Sequence, residues 1–161
     1  IDDVVSNALL IKGYLKALDF DAVIFSDPTQ ALAWCKEHDP ALVLLDYLMP
    51  GMNGVEFIRR FRGDDRLRDV PVIIVTWDER KETLLAALKA GATDVLQKPI
   101  DRVELIVRMQ NMLELQSRLH DLAEANARAA KLNAELVEKN KQLEAAYDLM
   151  TRRERTNSAA A

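Results

Sequence analysis

The sequence predicts an α/β fold: a doubly wound, five-stranded parallel sheet with helices on both faces, followed by a long helix that forms a coiled coil. Short apolar runs alternate with helical patterns, which implies βαβ units. The runs show no polar alternation, as strands buried on both faces should. All five prolines and all five glycines lie at or before Pro99, so the remaining chain has no helix breaker.

The elements follow in order. The pattern calls for roughly four or five apolar residues before Asp2. Only Ile1 is present, so the first strand is expected to be truncated. Residues 4–18 read as a helix, with Val5, Ala8, Leu9, Leu15 and Leu18 apolar. Ala22–Phe25 reads as a strand. Asp27-Pro28 is an N-cap followed by proline at the first helical position; that helix turns Ala31, Leu32 and Cys35 inward, and Pro40 follows it. Ala41–Leu45 is an apolar run ending at Asp46, with the turn signals Pro50-Gly51 and Asn53-Gly54 close behind. Val55, Ile58 and Phe61 mark the next helix. Val72–Val75 is a buried strand, and Glu79–Ala90 a helix ending at a C′ glycine, Gly91. Val95-Leu96 is a short strand, and after Pro99 the last helix is capped by Asp101.

Beyond Leu115 the apolar spacing changes. Alternate steps of four and three reach Leu119, Leu122, Asn126, Ala129, Asn133, Leu136, Asn140, Leu143, Tyr147 and Met150. With Leu122, Leu136 and Leu143 at d, Asn126, Asn133 and Asn140 fall at a, where they fix register and favour a parallel two-stranded coiled coil. A solvated single helix held by pairs such as Glu135–Lys139 is the competing reading. The expected domains are 1–115, a 116–151 coiled coil forming a homodimer, and a frayed tail over 152–161.

At 161 residues, one domain of ordinary size fits with a few dozen residues to spare. The net charge of −4 gives no reason to expect nucleic acid as a direct partner. Cys35, being single, excludes an intrachain disulfide and suits a reducing cytoplasm. No apolar stretch reaches the ~20 residues that span a bilayer, and no signal-peptide pattern opens the chain. The expected location is cytoplasmic, away from the membrane.

Polar residues close the apolar runs: Asp2-Asp3, Asp46, Thr76 and Lys98. Ligands of open α/β sheets bind at the carboxyl ends of the strands. Carboxylates about 4 Å apart repel by roughly 4 kcal/mol per pair at an effective dielectric near 20. One lysine cannot offset that, whereas a hard divalent cation such as Mg²⁺ can. A cation and Lys98 would also neutralise a phosphoryl group on Asp46, with Thr76 donating a hydrogen bond. Carboxylates are established nucleophiles for phosphoryl transfer.

Asp2-Asp3, Leu45-Asp46, Met49-Pro50-Gly51-Met52-Asn53-Gly54, Val75-Thr76 and Lys98-Pro99 together resemble the receiver domain of two-component response regulators, over residues 1 to about 115. The resemblance implies a flavodoxin-like receiver fold and a phosphoryl group passed to Asp46 from a histidine kinase or phosphotransfer protein. It implies Mg²⁺ held by Asp3, Asp46 and the Leu48 carbonyl, with Asp2 helping through water. Thr76 and Lys98 would bind the phosphoryl oxygens, and the Lys98–Pro99 bond would be cis. Two positions depart from the family. Val95 replaces the usual aromatic switch residue, and Trp77 replaces a small residue after the threonine. Trp77 is read first as packing. The changes leave the phosphorylation chemistry intact but remove the usual threonine–aromatic coupling.

Other readings are weaker. An aspartyl-nucleophile phosphatase of the haloacid-dehalogenase kind needs a second Asp at the position of Leu48. A silent receiver serving only as a dimerisation scaffold would not need the full Asp/Thr/Lys set. His120 falls at b and reads as an exposed histidine, while Cys35 and His38 read as ordinary core and helix-end residues. An output domain is expected after Arg155, and the tail resembles linkers preceding cyclic-di-nucleotide phosphodiesterases, diguanylate cyclases or histidine kinases. The chain is thus expected to be a switch rather than an enzyme.

Overall fold

A computed structural model describes residues 1–16 and 20–159, with the backbone alone at 148, 149 and 151–159. The elements run α1 (Val5–Lys16), α2 (Pro28–Glu37), β1 (Val43–Asp46), α3 (Gly54–Phe61), a 3-10 turn at Asp65–Leu67, β2 (Val72–Thr76), α4 (Lys81–Ala90), β3 (Asp94–Gln97) and α5 (Arg102–Ala159). Two compact units result, Ile1–Glu114 and Leu115–Ala161.

Among the described residues the strands form one parallel sheet in the order β1-β2-β3. Leu45 pairs with Ile74 and Ile74 with Val95. β2 is buried at every position, as its β-branched run requires. Alternate side chains face opposite layers. Val72 and Ile74 join a cluster with Phe57, Ile58, Phe61 and Ala31 from α2 and α3. Ile73 packs instead with Ile11, Leu15, Leu105 and Met109 from α1 and α5.

Among the described residues the sheet has three strands rather than the five expected. Residues 22–25 lie outside the ladder; the Phe25 carbonyl accepts one hydrogen bond, from the Asp2 amide at 3.1 Å. Ile1 sits between that segment and β1. Its nitrogen donates to the Leu44 carbonyl at 2.7 Å, and its own carbonyl accepts from the Asp46 amide at 2.8 Å. A strand exists only where a neighbour pairs with it, and the bond to Asp2 alone does not make a ladder. An apolar cavity of about 200 Å³ is lined by residues that include Ile11, Val23, Phe25, Leu42 and Leu44.

Helix ends follow the local chemistry. Asp27 accepts from the Thr29 amide and Pro28 opens α2. Asn53 caps α3 through the Glu56 amide, and the Asp101 carboxylate accepts from the Glu104 amide at 2.8 Å. Gly91 ends α4 at φ 109°, a left-handed conformation suited to glycine. Gly54 meets a different demand: a Cβ there would lie 3.1 Å from the Asp46 carbonyl oxygen, so any other residue would force that backbone to give by a few tenths of an ångström.

Arg62, just after α3, joins three segments. Its guanidinium donates to the carbonyls of Leu67 at 2.9 Å, Val70 at 2.7 Å and Gly91 at 2.8 Å. Removing it leaves the Leu67 carbonyl with the Val70 amide at 3.3 Å but takes the guanidinium from those of Val70 and Gly91, at about 1–3 kcal/mol for each carbonyl left buried and unsatisfied. Arg62→Ala should therefore destabilise the domain by about 2–4 kcal/mol in chemical denaturation. Arg62→Lys should restore little, since one ammonium cannot reproduce the planar fork. An unchanged midpoint for Arg62→Ala would refute the clamp.

α5 is one 58-residue helix with no proline or glycine. It continues past Met150, where the heptads end, so the tail expected to fray over 152–161 is helical as far as Ala159, and 160 and 161 lie outside the described residues. His120 is exposed, 3.4 Å from Glu124. No described helix is long and apolar enough to cross a membrane.

Candidate functional site

Backbone pairing brings the strand ends together. The Asp46 amide bonds to Ile1, the Tyr47 amide to the Val75 carbonyl at 3.0 Å, and the Lys98 amide to the Thr76 carbonyl at 2.8 Å. Asp2, Asp46, Thr76 and Lys98 thereby meet at the carboxyl edge of the sheet, the ligand edge of such folds. Asp46 is 8% exposed, Asp2 3% and Thr76 1%.

The Lys98 ammonium lies 3.0 Å from one carboxylate oxygen of Asp2 and 3.0 Å from one of Asp46. The other Asp2 oxygen accepts from the Val4 amide at 2.9 Å and the Asn7 side chain at 3.3 Å. Asp3 completes the cluster: one carboxylate oxygen each from Asp2, Asp3 and Asp46 lie within 4.8 Å of one another. Burial lifts the Asp46 carboxyl above its ordinary range, against the pull of Lys98. Burial also works against the Lys98 charge, but the Asp46 and Asp2 carboxylates outweigh it and hold the ammonium above its usual value. The Lys98–Pro99 peptide is cis.

This donor set suits a hard cation. It is all oxygen, and the one lysine at the cluster bonds two of its three carboxylates, Asp2 and Asp46. The Leu48 carbonyl belongs to the loop just after Asp46, and the Leu48 side chain is 65% exposed.

The β2–α4 loop differs from expectation. Trp77 is not packed: it is 67% exposed beside Thr76. Val95 is half-buried on β3. Sequence reasoning also passed over Asp78, whose amide donates to the Thr76 hydroxyl oxygen at 3.0 Å. The Thr76-Trp77-Asp78 spacing is that of an ST-turn, which was the available signal.

The response regulator receiver domain family matches residues 1–110. The chain is 39% identical over 120 residues to the cyclic di-GMP phosphodiesterase response regulator RpfG of Xanthomonas campestris, covering 73% of this chain and 32% of that protein. It is 30% identical over 132 residues to the response regulator PleD of Caulobacter vibrioides, covering 82% and 29%. The chain thus spans about a third of the length of these curated relatives. Among solved structures, the receiver domain of the sensor histidine kinase PA1611 from Pseudomonas aeruginosa aligns at TM-score 0.66 and 26% identity, covering 71% of this chain and 93% of that one. That structure has a magnesium ion coordinated in its active site cleft. The signal receiver domain of a LuxO repressor protein from Vibrio parahaemolyticus aligns at TM-score 0.69 and 28% identity, covering 76% and 92%. Fold, strand-end chemistry and sequence agree: the chain belongs to the response regulator receiver domain family, the phosphorylation-dependent switches of two-component signalling.

Proposed function

We propose that Asp46 is the phosphoacceptor of this switch, and that its donor is a phosphohistidine on a histidine kinase or phosphotransfer protein. A carboxylate oxygen of Asp46 attacks phosphorus, the P–N bond breaks, and the imidazole nitrogen keeps the electron pair. The observation that carries this reading is the Lys98 ammonium placed 3.0 Å from Asp46 in a buried carboxylate cluster. Lys98 and the Thr76 hydroxyl bind the phosphoryl oxygens. Asp3, Asp46 and the Leu48 carbonyl would hold Mg²⁺, with Asp2 acting through water; bound there, the ion supplies positive charge to the phosphoryl group. One phosphoryl group per chain is taken up, so the domain regulates rather than turns over substrate.

We further place the protein in the cytoplasm, with no membrane or nucleic-acid contact of its own, as a homodimer through α5. The changed state of the receiver passes along that helix to an output module. RpfG, whose name carries a phosphodiesterase, supports an output of that kind.

The test uses a small phosphodonor with and without Mg²⁺. One acid-labile phosphoryl group should add to the chain, as seen by intact mass, and only with the metal present. Trp77 fluorescence should report Mg²⁺ binding, with Trp77→Phe assigning the signal. Asp3→Ala should weaken the apparent affinity about tenfold, or 1.4 kcal/mol. Metal-independent labelling, or an Asp3→Ala titration matching the parent, would count against the site.

A further inference from the structure

We propose that Asp78 is a positioning residue for phosphoryl transfer: it fixes the β2–α4 loop so that its own amide orients the Thr76 hydroxyl for an oxygen bound at Asp46. The proposal rests on the reading of Asp46 as phosphoacceptor and adds a residue to it.

A threonine hydroxyl has one proton to give and two lone pairs. At Thr76 the Asp78 amide occupies a lone pair at 3.0 Å. The proton is left to donate, which is the role a phosphoryl oxygen requires. Thr76 is nearly inaccessible and its backbone is fixed by β2, so the hydroxyl's orientation depends on where the loop places that amide.

The Asp78 carboxylate determines the placement. One oxygen accepts from the Arg80 amide at 3.0 Å and from Arg80 Nε at 2.9 Å. The other accepts from the Thr83 hydroxyl at 2.7 Å and from Arg80 Nη2 at 2.5 Å. These donors, the Arg80 side chain foremost, hold the carboxyl far below its ordinary range, so it remains an acceptor throughout the working pH range. The N-cap residue of α4, Arg80, makes no side-chain cap bond of its own. Asp78 therefore ties α4 and the loop to each other, and the loop to Thr76. Trp77, between the two bonded residues, is exposed.

A helix anchor alone would cost stability without involving Thr76, and a double-mutant comparison separates the two roles. Rates of phosphoryl uptake from acetyl phosphate with Mg²⁺ would be measured on the full chain for the parent, Asp78→Ala, Thr76→Ala and the double variant. The expected result is a loss of about tenfold, or 1.4 kcal/mol, for Asp78→Ala in the parent, and less than about twofold in the Thr76→Ala background. Asp78→Asn, which keeps one carbonyl acceptor, should recover part of the rate. Equal losses in both backgrounds, or none in the parent, would overturn the positioning role while leaving Asp46 as acceptor. A parent chain that takes no label would sink the phosphoacceptor reading, and the positioning role with it. Should Asp78→Ala fail to fold, Asp78→Asn and Thr83→Ala carry the same comparison, with smaller expected losses.

Discussion

Asp46→Asn should abolish phosphoryl uptake while leaving the receiver folded. The amide matches the carboxylate in shape but cannot serve as the nucleophile. Its remaining carbonyl oxygen can still accept from Lys98, whose ammonium lies 3.0 Å away. The charge itself is a poor contributor to stability, because burial already raises the Asp46 carboxyl above its ordinary range. Removing it relieves repulsion from Asp2 and Asp3, roughly 4 kcal/mol per close pair at an effective dielectric near 20. The lost attraction to Lys98 is one such pair against two, so the change removes more repulsion than attraction. The unfolding midpoint should therefore be no lower than the parent's, while labelling falls from about one group per chain to none. Labelling of Asp46→Asn at the parent rate would show that the phosphoryl group goes elsewhere.

A chain ending near Leu115 should be monomeric, and the full chain a parallel dimer. Leu119, Leu122, Leu136, Leu143 and Met150 are each more than half exposed along α5. Burying a leucine contributes about 1.5–3 kcal/mol, and two such stripes together outweigh an association cost of about 4–15 kcal/mol. The asparagines select the direction. In a parallel pair Asn126, Asn133 and Asn140 each meet their counterpart across the seam. In an antiparallel pair they face mostly Leu and Ala, and each buried amide left unsatisfied costs about 1–3 kcal/mol. Sedimentation of both chains decides the matter. A monomeric full chain, or a dimer unchanged by truncation, would remove the coiled coil from the mechanism.

What could be read from the sequence depended on how local each signal is. The Val72–Val75 run, the Gly91 stop and the Asp27-Pro28 start are each settled within a few residues, and β2, α4 and α2 appear where expected. The segment at 22–25 carries an equally good apolar run, yet its strand depends on a neighbour supplied from elsewhere in the chain. The 3-10 turn at Asp65–Leu67 left no apolar period to find. The site divides in the same way. Strand-end polar residues mark where Asp46, Thr76 and Lys98 lie, because strand order places them. The sharing of Lys98 between Asp46 and Asp2, the latter 96 positions away, is a three-dimensional fact. Trp77 reads as packing from its hydrophobicity alone, yet it is exposed, because exposure depends on the path of the β2–α4 loop and not on residue type.

Ile1 ties the sheet to the chemistry at its edge. Asp46 is held by β2 on one side and by Ile1 on the other, and Asp2 and Asp3 follow Ile1 directly. Any separation of Ile1 from β1 therefore moves Asp2 and Asp3 away from Asp46 and Lys98. Because linkage is reciprocal, a cation or phosphoryl group that draws these side chains together favours the Ile1 pairing by the same factor by which that pairing favours the ligand.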